Sequence, residues 1–251
     1  MSINRRNKDI LFINNELIQE WDIKSANTSL LEMYDLYPKD KLNKISKLRK
    51  QDREITIGKL IRKFPDVGKG LEDAFTDIIN RFVKDNNIKD ENIISIKKDS
   101  VFVRNTEIKI SSYEDCVYFV NKNKYTNYMY ISPYEIYYDK YTSNIEIKGM
   151  SNDNYQYHEN GIFDFLKDVF DISYNPYQLQ KYLKQYAKDY KERKLPLNSY
   201  REFNMDSKFN VNIFDNNMKM EEIDESMLEY TDISYNYINI IIPIIKIVIN
   251  N

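Results

Sequence analysis

The chain has 251 residues, of which 42% are hydrophobic and 30% are charged, so it is long enough and apolar enough to fold around a sizeable core. Its 37 basic and 39 acidic side chains give a net charge of -2, which excludes an overall basic protein but allows a locally basic face. The single cysteine and single histidine exclude an internal disulfide and a Cys/His zinc site. Any catalysis must therefore use carboxylates, lysines, tyrosines or hydroxyl groups.

The first forty residues predict a short strand followed by a helix. Residues 16–24, "ELIQEWDIK", end in the predicted strand, which carries Asp22. The stretch "SLLE" (29–32) has the spacing of a capping box, in which a hydroxyl residue and an acid three positions later satisfy free backbone groups. We therefore expect a helix to start there and to end at Pro38.

A basic helical segment follows. Apolar residues at helical spacing predict one long helix from about Asp40 to Phe64, whose polar positions are rich in lysine and arginine. The stretch "FPDVGKG" (64–70) contains proline and glycine, which is typical of a break between helices. A second helix is predicted from about residue 70 to residue 86, because its apolar side chains form a single stripe.

The pattern then changes to strands. From about residue 93 to residue 149, β-branched and aromatic residues dominate. Within this region "IISIKKDSVFV" (93–103) predicts a hairpin whose tip carries Asp99. Residues 161–192 return to a helical pattern, so the chain as a whole predicts a mixed α+β protein.

The C-terminal apolar run, "INIIIPIIKIVI" (238–249), is too short to span a bilayer. Its isoleucine and valine content predicts a buried strand pair bent at Pro243. The start of the chain shows no long apolar stretch of the kind found in signal peptides. Together with the single cysteine, this favours a cytoplasmic protein.

Five short stretches occur in an order that carries more information than any one of them alone. They are "DIKSANTSLL" (22–31), "KQDREITIG" (50–58), "KKDSVFV" (97–103), "KNKY" (122–125) and "IKGM" (147–150). The first three resemble D-x-x-S-L-Y-P-S-I-I, K-x-x-x-N-S-x-Y-G and D-T-D-S-V-F-V, the palm and fingers motifs of family B DNA polymerases. The last two are similar to the lysine-tyrosine motif and the lysine-glycine strand that follow in that family.

This resemblance implies a palm-like antiparallel sheet with packed helices, plus a small thumb-like helical part. Residues 1–150 would form the palm, with minimal fingers helices at about 40–86. Residues 151–251 would supply the thumb-like helices and the C-terminal strands, and the stretch around residues 150–160 is the linker candidate. Such a chain would be a reduced, phage-type polymerase-like protein, located in the host cytoplasm if a phage encodes it.

The resemblance also assigns roles to residues. It implies that Asp22 and Asp99 are the catalytic carboxylates and the ligands of Mg²⁺ or Mn²⁺ in a two-metal site. Lys97 stands where the family has the first acid of the D-T-D motif, which would weaken that site, while Asp99 keeps the position of the second acid. The basic helix would bind the nucleotide through Arg49, Lys50 and Arg53. The implied primer-template contacts are Lys122, Lys124, Tyr125 and Lys148.

The expected function is metal-dependent, template-directed addition of nucleotides to a nucleic-acid primer. The expected partners are a primer-template, a nucleoside triphosphate and a protein that supplies the missing polymerase domains. No association with a membrane is expected. One alternative is an inactive polymerase-derived phage protein that binds nucleic acid or a replication or virion partner, and another is a structural assembly protein. Family A polymerases fit less well, because their H-D-E motif would align with Lys97, Lys98 and Asp99, which do not match it.

Overall fold

The protein has an α+β fold built from antiparallel sheets and helices. The computed structural model describes residues 4–148, 158–200, 210–213, 216–219 and 241–250. The strands are β1 (Arg5–Arg6), β2 (Phe12–Ile13), β3 (Ile18–Ile23), β4 (Ile93–Lys97), β5 (Ser100–Arg104), β6 (Ser112–Tyr113), β7 (Val117–Tyr125), β8 (Asn127–Ile131), β9 (Tyr134–Asp139), β10 (Asn144–Ile147), β11 (Asn210–Ile213) and β12 (Asn216–Lys219). The helices are α1 (Ala26–Met33), α2 (Lys39–Ser46), α3 (Lys50–Lys63), α4 (Pro65–Asp85), α5 (Ile162–Ile172), α6 (Pro176–Lys191) and α7 (Ile242–Asn250).

The chain divides into two compact units. The first unit takes Met1–Asp9 and Leu17–Lys124, and the second takes Ile10–Glu16 and Tyr125–Asn251. The division therefore falls after Lys124, whereas the sequence placed a boundary near residue 150. Strands β8–β10 belong to the second unit for this reason, and most of the predicted linker, residues 149–157, lies outside the described residues.

A six-stranded sheet forms the centre of the first unit, in the order β1-β4-β5-β3-β7-β6. Helices α1–α4 pack on this sheet through a shared apolar core. Strand residues such as Ile23 and Phe119 alternate with polar residues, so they lie on one face of the sheet and contact the apolar face of α4. Strand β3 carries Asp22, and β4 and β5 form a hairpin with Lys98 and Asp99 at its tip, so both predictions are confirmed. Lys98 has a positive φ of 40°, which is uncommon for a residue other than glycine.

The second unit has its own sheet and core. Its four strands lie in the order β10-β9-β8-β2, with antiparallel neighbours, and β11 pairs with β12 as a separate hairpin. Buried residues of β8–β10 pack against α5 and α6, which confirms the helices predicted at residues 161–192. Helix α6 begins after Asn175, whose side-chain oxygen accepts a hydrogen bond from the Gln178 N–H, as an N-cap residue does.

The prediction of one long basic helix and a break at residues 64–70 was wrong. The helix is interrupted between Ser46 and Lys50, whereas α4 begins at Pro65 and runs through the predicted break. Proline is well tolerated in the first turn of a helix, because its missing N–H has no intrahelical acceptor there. Glycine within α4 allows close packing, since a Cβ on Gly68 would lie 2.6 Å from Ile61 Cγ2.

The capping-box interpretation of residues 29–32 was also wrong. Helix α1 begins at Ala26, so Ser29 lies inside it and its hydroxyl donates to the Lys24 carbonyl. Ser25 precedes the helix in a left-handed conformation, with φ of 53°. The helix ends at Met33, and Pro38 is the residue before α2.

The predicted C-terminal strand pair is instead a helix over the part that the structure describes. Helix α7 spans Ile242–Asn250, with Pro243 in its first turn, while residues 238–240 lie outside the described residues. Ile241 and Ile244 are fully buried in the core of the second unit. Their spacing of three residues suits a helix, so burial outweighed the β-propensity of isoleucine. Across the described parts of the chain, no helix has the length and apolar character needed to cross a membrane.

Two glycine-to-alanine changes should have opposite effects on stability. Gly58→Ala should raise the free energy of unfolding by about 0.5–1 kcal/mol, because α3 is open around Gly58 and alanine favours the helix. Gly68→Ala should lower the free energy of unfolding by about 1 kcal/mol, because its Cβ would overlap the Ile61 side chain. Urea unfolding of both variants measures this difference, and an equal gain in both would contradict the packing role of Gly68.

Candidate functional site

The pairing of β3 with β5 brings the two predicted catalytic acids together. Asp22 is opposite Ser100 in this antiparallel pair, and the Ser100 hydroxyl donates to Asp22 Oδ1 at 3.2 Å. The Ile23 N–H donates to the Asp99 carbonyl at 2.9 Å. Asp22 and Asp99 therefore lie at the same end of two hydrogen-bonded strands, as a shared cation site requires.

The surroundings of the Asp99 carboxyl group disfavour its charged form. Burial and then the neighbouring Asp22 carboxylate raise the pKa of Asp99 above its ordinary value. A hydrogen bond to its own backbone N–H and the charges of Lys98 and Lys122 act in the opposite direction. The two carboxylates thus repel each other in a partly desolvated place, which a bound cation would relieve.

A pocket of about 200 Å³ adjoins these acids, entirely within the first unit. Its walls combine the end of β3, the first turn of α1 and one face of α3, so the acids share one space with the cations Lys50 and Arg53. Sequence reasoning missed Glu54, which also lines the pocket. The lining residues are Asp22, Ile23, Lys24, Ser25, Ala26, Asn27, Thr28, Lys50, Arg53, Glu54, Ile57 and Asp99.

The polar groups that line the pocket suit a ligand anion bound next to a metal cation. The N-terminal end of α1, which carries the positive end of the helix dipole, lines the pocket, although the Thr28 N–H already donates to the Ser25 carbonyl at 3.0 Å. Asn27 Oδ1 is buried there without a hydrogen-bond partner, so a ligand with a donor or a metal ion would satisfy it.

Arg49 was predicted to bind the nucleotide, but it does not line the pocket. It precedes the first residue of α3, its side chain is 89% exposed, and its Nε donates to Asp52 Oδ2 at 2.9 Å. Lys50 and Arg53 both line the pocket, since residues three apart share a helix face. The structure therefore separates Arg49 from the other two predicted nucleotide ligands.

Lys122 reaches the acids directly. Its ammonium lies 3.5 Å from Glu20 Oε1 and 3.7 Å from Asp22 Oδ2. Asn123 Nδ2 donates to Glu20 Oε2 at 2.7 Å, and the Glu20 side chain is only 2% exposed. Glu20 was missed by sequence reasoning, although its position two residues before Asp22 puts both side chains on one face of β3.

The remaining predicted nucleic-acid contacts have different surroundings. Lys124 is exposed on β7 in the first unit. Tyr125, which was predicted to contact the primer-template, is 1% exposed and its hydroxyl donates to Glu146, so it is a core residue of the second unit. Lys148 Nζ lies 2.6 Å from Glu146 Oε1 in the same unit, and its side chain is 17% exposed. Gly149, the other half of the lysine-glycine motif, lies outside the described residues.

The residues around Asp22 suit a metal ion that phosphate oxygens help to hold. Among the residues that the structure describes, no group of three or more His, Cys, Asp or Glu side chains is arranged to bind a metal. Two carboxylates are nevertheless a usual protein share of a Mg²⁺ site, where water and substrate phosphates provide the other ligands. Lys97, which replaces the family's first acid, lies opposite Ser100 in the pairing of β4 with β5.

Replacing the Asp99 carboxyl group should stabilise the fold. Because the pKa of Asp99 is raised, its charged form costs stability above that pKa, and the cost disappears as the pH falls towards about 4. Asp99→Asn should therefore raise the melting temperature by about 1–3 °C at pH 7 and by less at pH 4.5. Asp73→Asn on the exposed face of α4 is the matched control, and an equal rise there would contradict the prediction.

No curated protein sequence matches this chain. Among solved structures, the family B DNA polymerase from the hyperthermophilic archaeon Pyrobaculum calidifontis is similar, with 10% sequence identity and a TM-score of 0.44. The similarity covers 98% of this chain and 48% of the polymerase, so the chain spans about half the length of that protein. The family model described as bacteriophage PBS1 gene 130 protein matches residues 2–250, and the chain therefore belongs to this phage protein family.

Proposed function

We propose that this protein is a metal-dependent nucleotidyltransferase of the palm type, which adds nucleotides to a nucleic-acid primer. One observation carries the proposal. Asp22 and Asp99 lie at paired strand ends beside a pocket that also contains Lys50 and Arg53. Nucleotidyl transfer needs this combination, because carboxylates hold the cations while basic side chains neutralise the phosphates.

The basic side of the pocket would bind the triphosphate. Lys50 and Arg53 lie one helical turn apart on α3 and offer positive charge to the phosphate oxygens. The N-terminal end of α1 adds the positive end of the helix dipole, which favours the same anion. These groups orient the nucleotide and stabilise the negative charge that develops on the departing pyrophosphate.

The acidic side of the pocket would hold the cation. Asp22 and Asp99 supply carboxylate oxygens, which suit Mg²⁺ or Mn²⁺, and the nucleotide phosphates complete the ligand set. When bound, such an ion lowers the energy of attack by the primer 3′-oxygen on the α-phosphorus. The exposed Lys124 on β7 would contact the primer-template backbone.

Primer extension tests the catalytic proposal. The purified protein should extend a labelled primer on a template when Mg²⁺ or Mn²⁺ and nucleotides are present. Asp22→Asn and Asp99→Asn should each reduce the rate at least 100-fold, because each removes a charged cation ligand. Asp73→Asn, with its exposed carboxylate on α4, should retain the wild-type rate. Full activity in both site variants would overturn the proposal.

Nucleotide binding tests the basic side separately. Lys50→Ala and Arg53→Ala should each weaken triphosphate binding about tenfold, because each removes a charge from the pocket. Arg49→Ala is the matched control, since it removes an equal charge from the surface next to the same helix. Fluorescence titration with a labelled nucleoside triphosphate measures the three affinities, and equal losses would point to general electrostatics rather than to this pocket.

A second candidate function is that of a polymerase-derived phage protein that binds nucleic acid without catalysis. The ion pair between Lys122 and Asp22 favours it, because this carboxylate already has a positive partner. In that case the protein would bind primer-template with an affinity that falls steeply as salt rises, since phosphate contacts release counterions. Such binding without primer extension would select this candidate over the first.

A further inference from the structure

An internal ammonium group already lies at the acidic side of the pocket. Lys122 Nζ is 3.5 Å from Glu20 Oε1 and 3.7 Å from Asp22 Oδ2, so it bridges two carboxylates of β3. A divalent cation bound by Asp22 would need the same carboxylate charge. Lys122 and the cation are therefore alternative partners of Asp22.

The two carboxylates of this bridge are not equivalent. The Glu20 side chain is 2% exposed and also accepts a hydrogen bond from Asn123 Nδ2, whereas the Asp22 side chain is 24% exposed. A buried carboxylate is costly without a charged or hydrogen-bonded partner, so the Glu20 side of the bridge is the more firmly held. Glu20 thus keeps the ammonium next to Asp22.

We propose that Lys122 is the resident counter-ion of Asp22, positioned by Glu20, and that a divalent cation must displace it to bind. The inference rests on the proposed function only in taking Asp22 as a cation ligand. The Lys122 side chain is half exposed, so its ammonium has room to leave Asp22 while it stays near Glu20. The exchange then costs the ion pair with Asp22 but leaves the buried Glu20 neutralised.

This arrangement makes Lys122 and Glu20 positioning residues that tune cation affinity. Without a nucleotide, the positive charge of Lys122 weakens the binding of a divalent cation, because like charges compete for one carboxylate. The cation is therefore expected to bind well only when phosphate oxygens add negative charge. The same competition would apply whether or not the bound complex goes on to catalysis.

Mn²⁺ binding, measured by electron paramagnetic resonance on the full chain without nucleotide, tests the proposal. Lys122→Gln removes the ammonium but keeps a hydrogen-bond donor for Glu20, and it should bind Mn²⁺ about tenfold more tightly than the wild type. Lys109→Gln is the matched control, because it removes an exposed ammonium that is paired with the Glu107 carboxylate away from the pocket, and it should change the affinity less than twofold. Circular dichroism verifies that each variant is folded.

A double variant separates displacement from net charge. Glu20→Gln combined with Lys122→Gln leaves the local net charge unchanged and removes the buried carboxylate that would otherwise lose its partner. If displacement limits binding, the double variant should still bind Mn²⁺ more tightly than the wild type, and Asp22→Asn added to it should abolish the gain. Wild-type affinity in the double variant would overturn the proposal, as would unchanged affinity in Lys122→Gln.

These results are independent of the primer-extension test. If Mn²⁺ affinity rises as expected while no variant extends a primer, the counter-ion role stands and the transferase proposal fails. If primer extension is observed while both Lys122 variants keep the wild-type Mn²⁺ affinity, the transferase stands and the counter-ion role fails.

Discussion

The register between β3 and β5 is the constraint on which the candidate site depends. Opposite pairing of Asp22 with Ser100 puts Asp22 beside the hairpin end that carries Asp99. A slip of one residue would exchange the two faces of β3, so Asp22 would point into the apolar layer where Ile23 packs. The helical layer of the first unit therefore fixes the position of the acids, although it contributes no acid itself.

The carboxylates of the candidate site lie close enough to repel one another. Glu20 and Asp22 lie on one strand face, and Asp99 adds a third carboxylate that is partly desolvated. Lys122 offsets part of this charge, and α3 contributes Lys50 and Arg53 to the same pocket. A site with this balance stores electrostatic free energy, which ligand binding can release.

Sequence patterns predicted the parts of the fold where local preference and burial agree. Strand β3 and the β4–β5 hairpin were predicted from β-branched residues, and family membership confirms the expectation of a phage protein.

The C-terminal helix was missed because isoleucine favours strands, and its burial depends on distant contacts. Motif spacing predicted Arg49, Lys50 and Arg53 as nucleotide ligands. Lys50 and Arg53 line the pocket, whereas Arg49 precedes α3 and pairs with Asp52, because the start of α3 depends on packing that motif spacing does not specify. The ion pair of Glu20 depends on strand neighbours, which no local pattern specifies.

A short segment near the start of the chain belongs to the second unit, and this affects how the first unit could be expressed on its own. Residues 10–16 belong to that unit, and β2 within them pairs with β8, so the backbone crosses between the units three times. A fragment that stopped at Lys124 would keep β2 but lose its partner strand, and unpaired strand edges promote aggregation. Expressing the pocket-bearing unit alone would therefore require replacing residues 10–16 with a polar linker, in addition to truncating the chain.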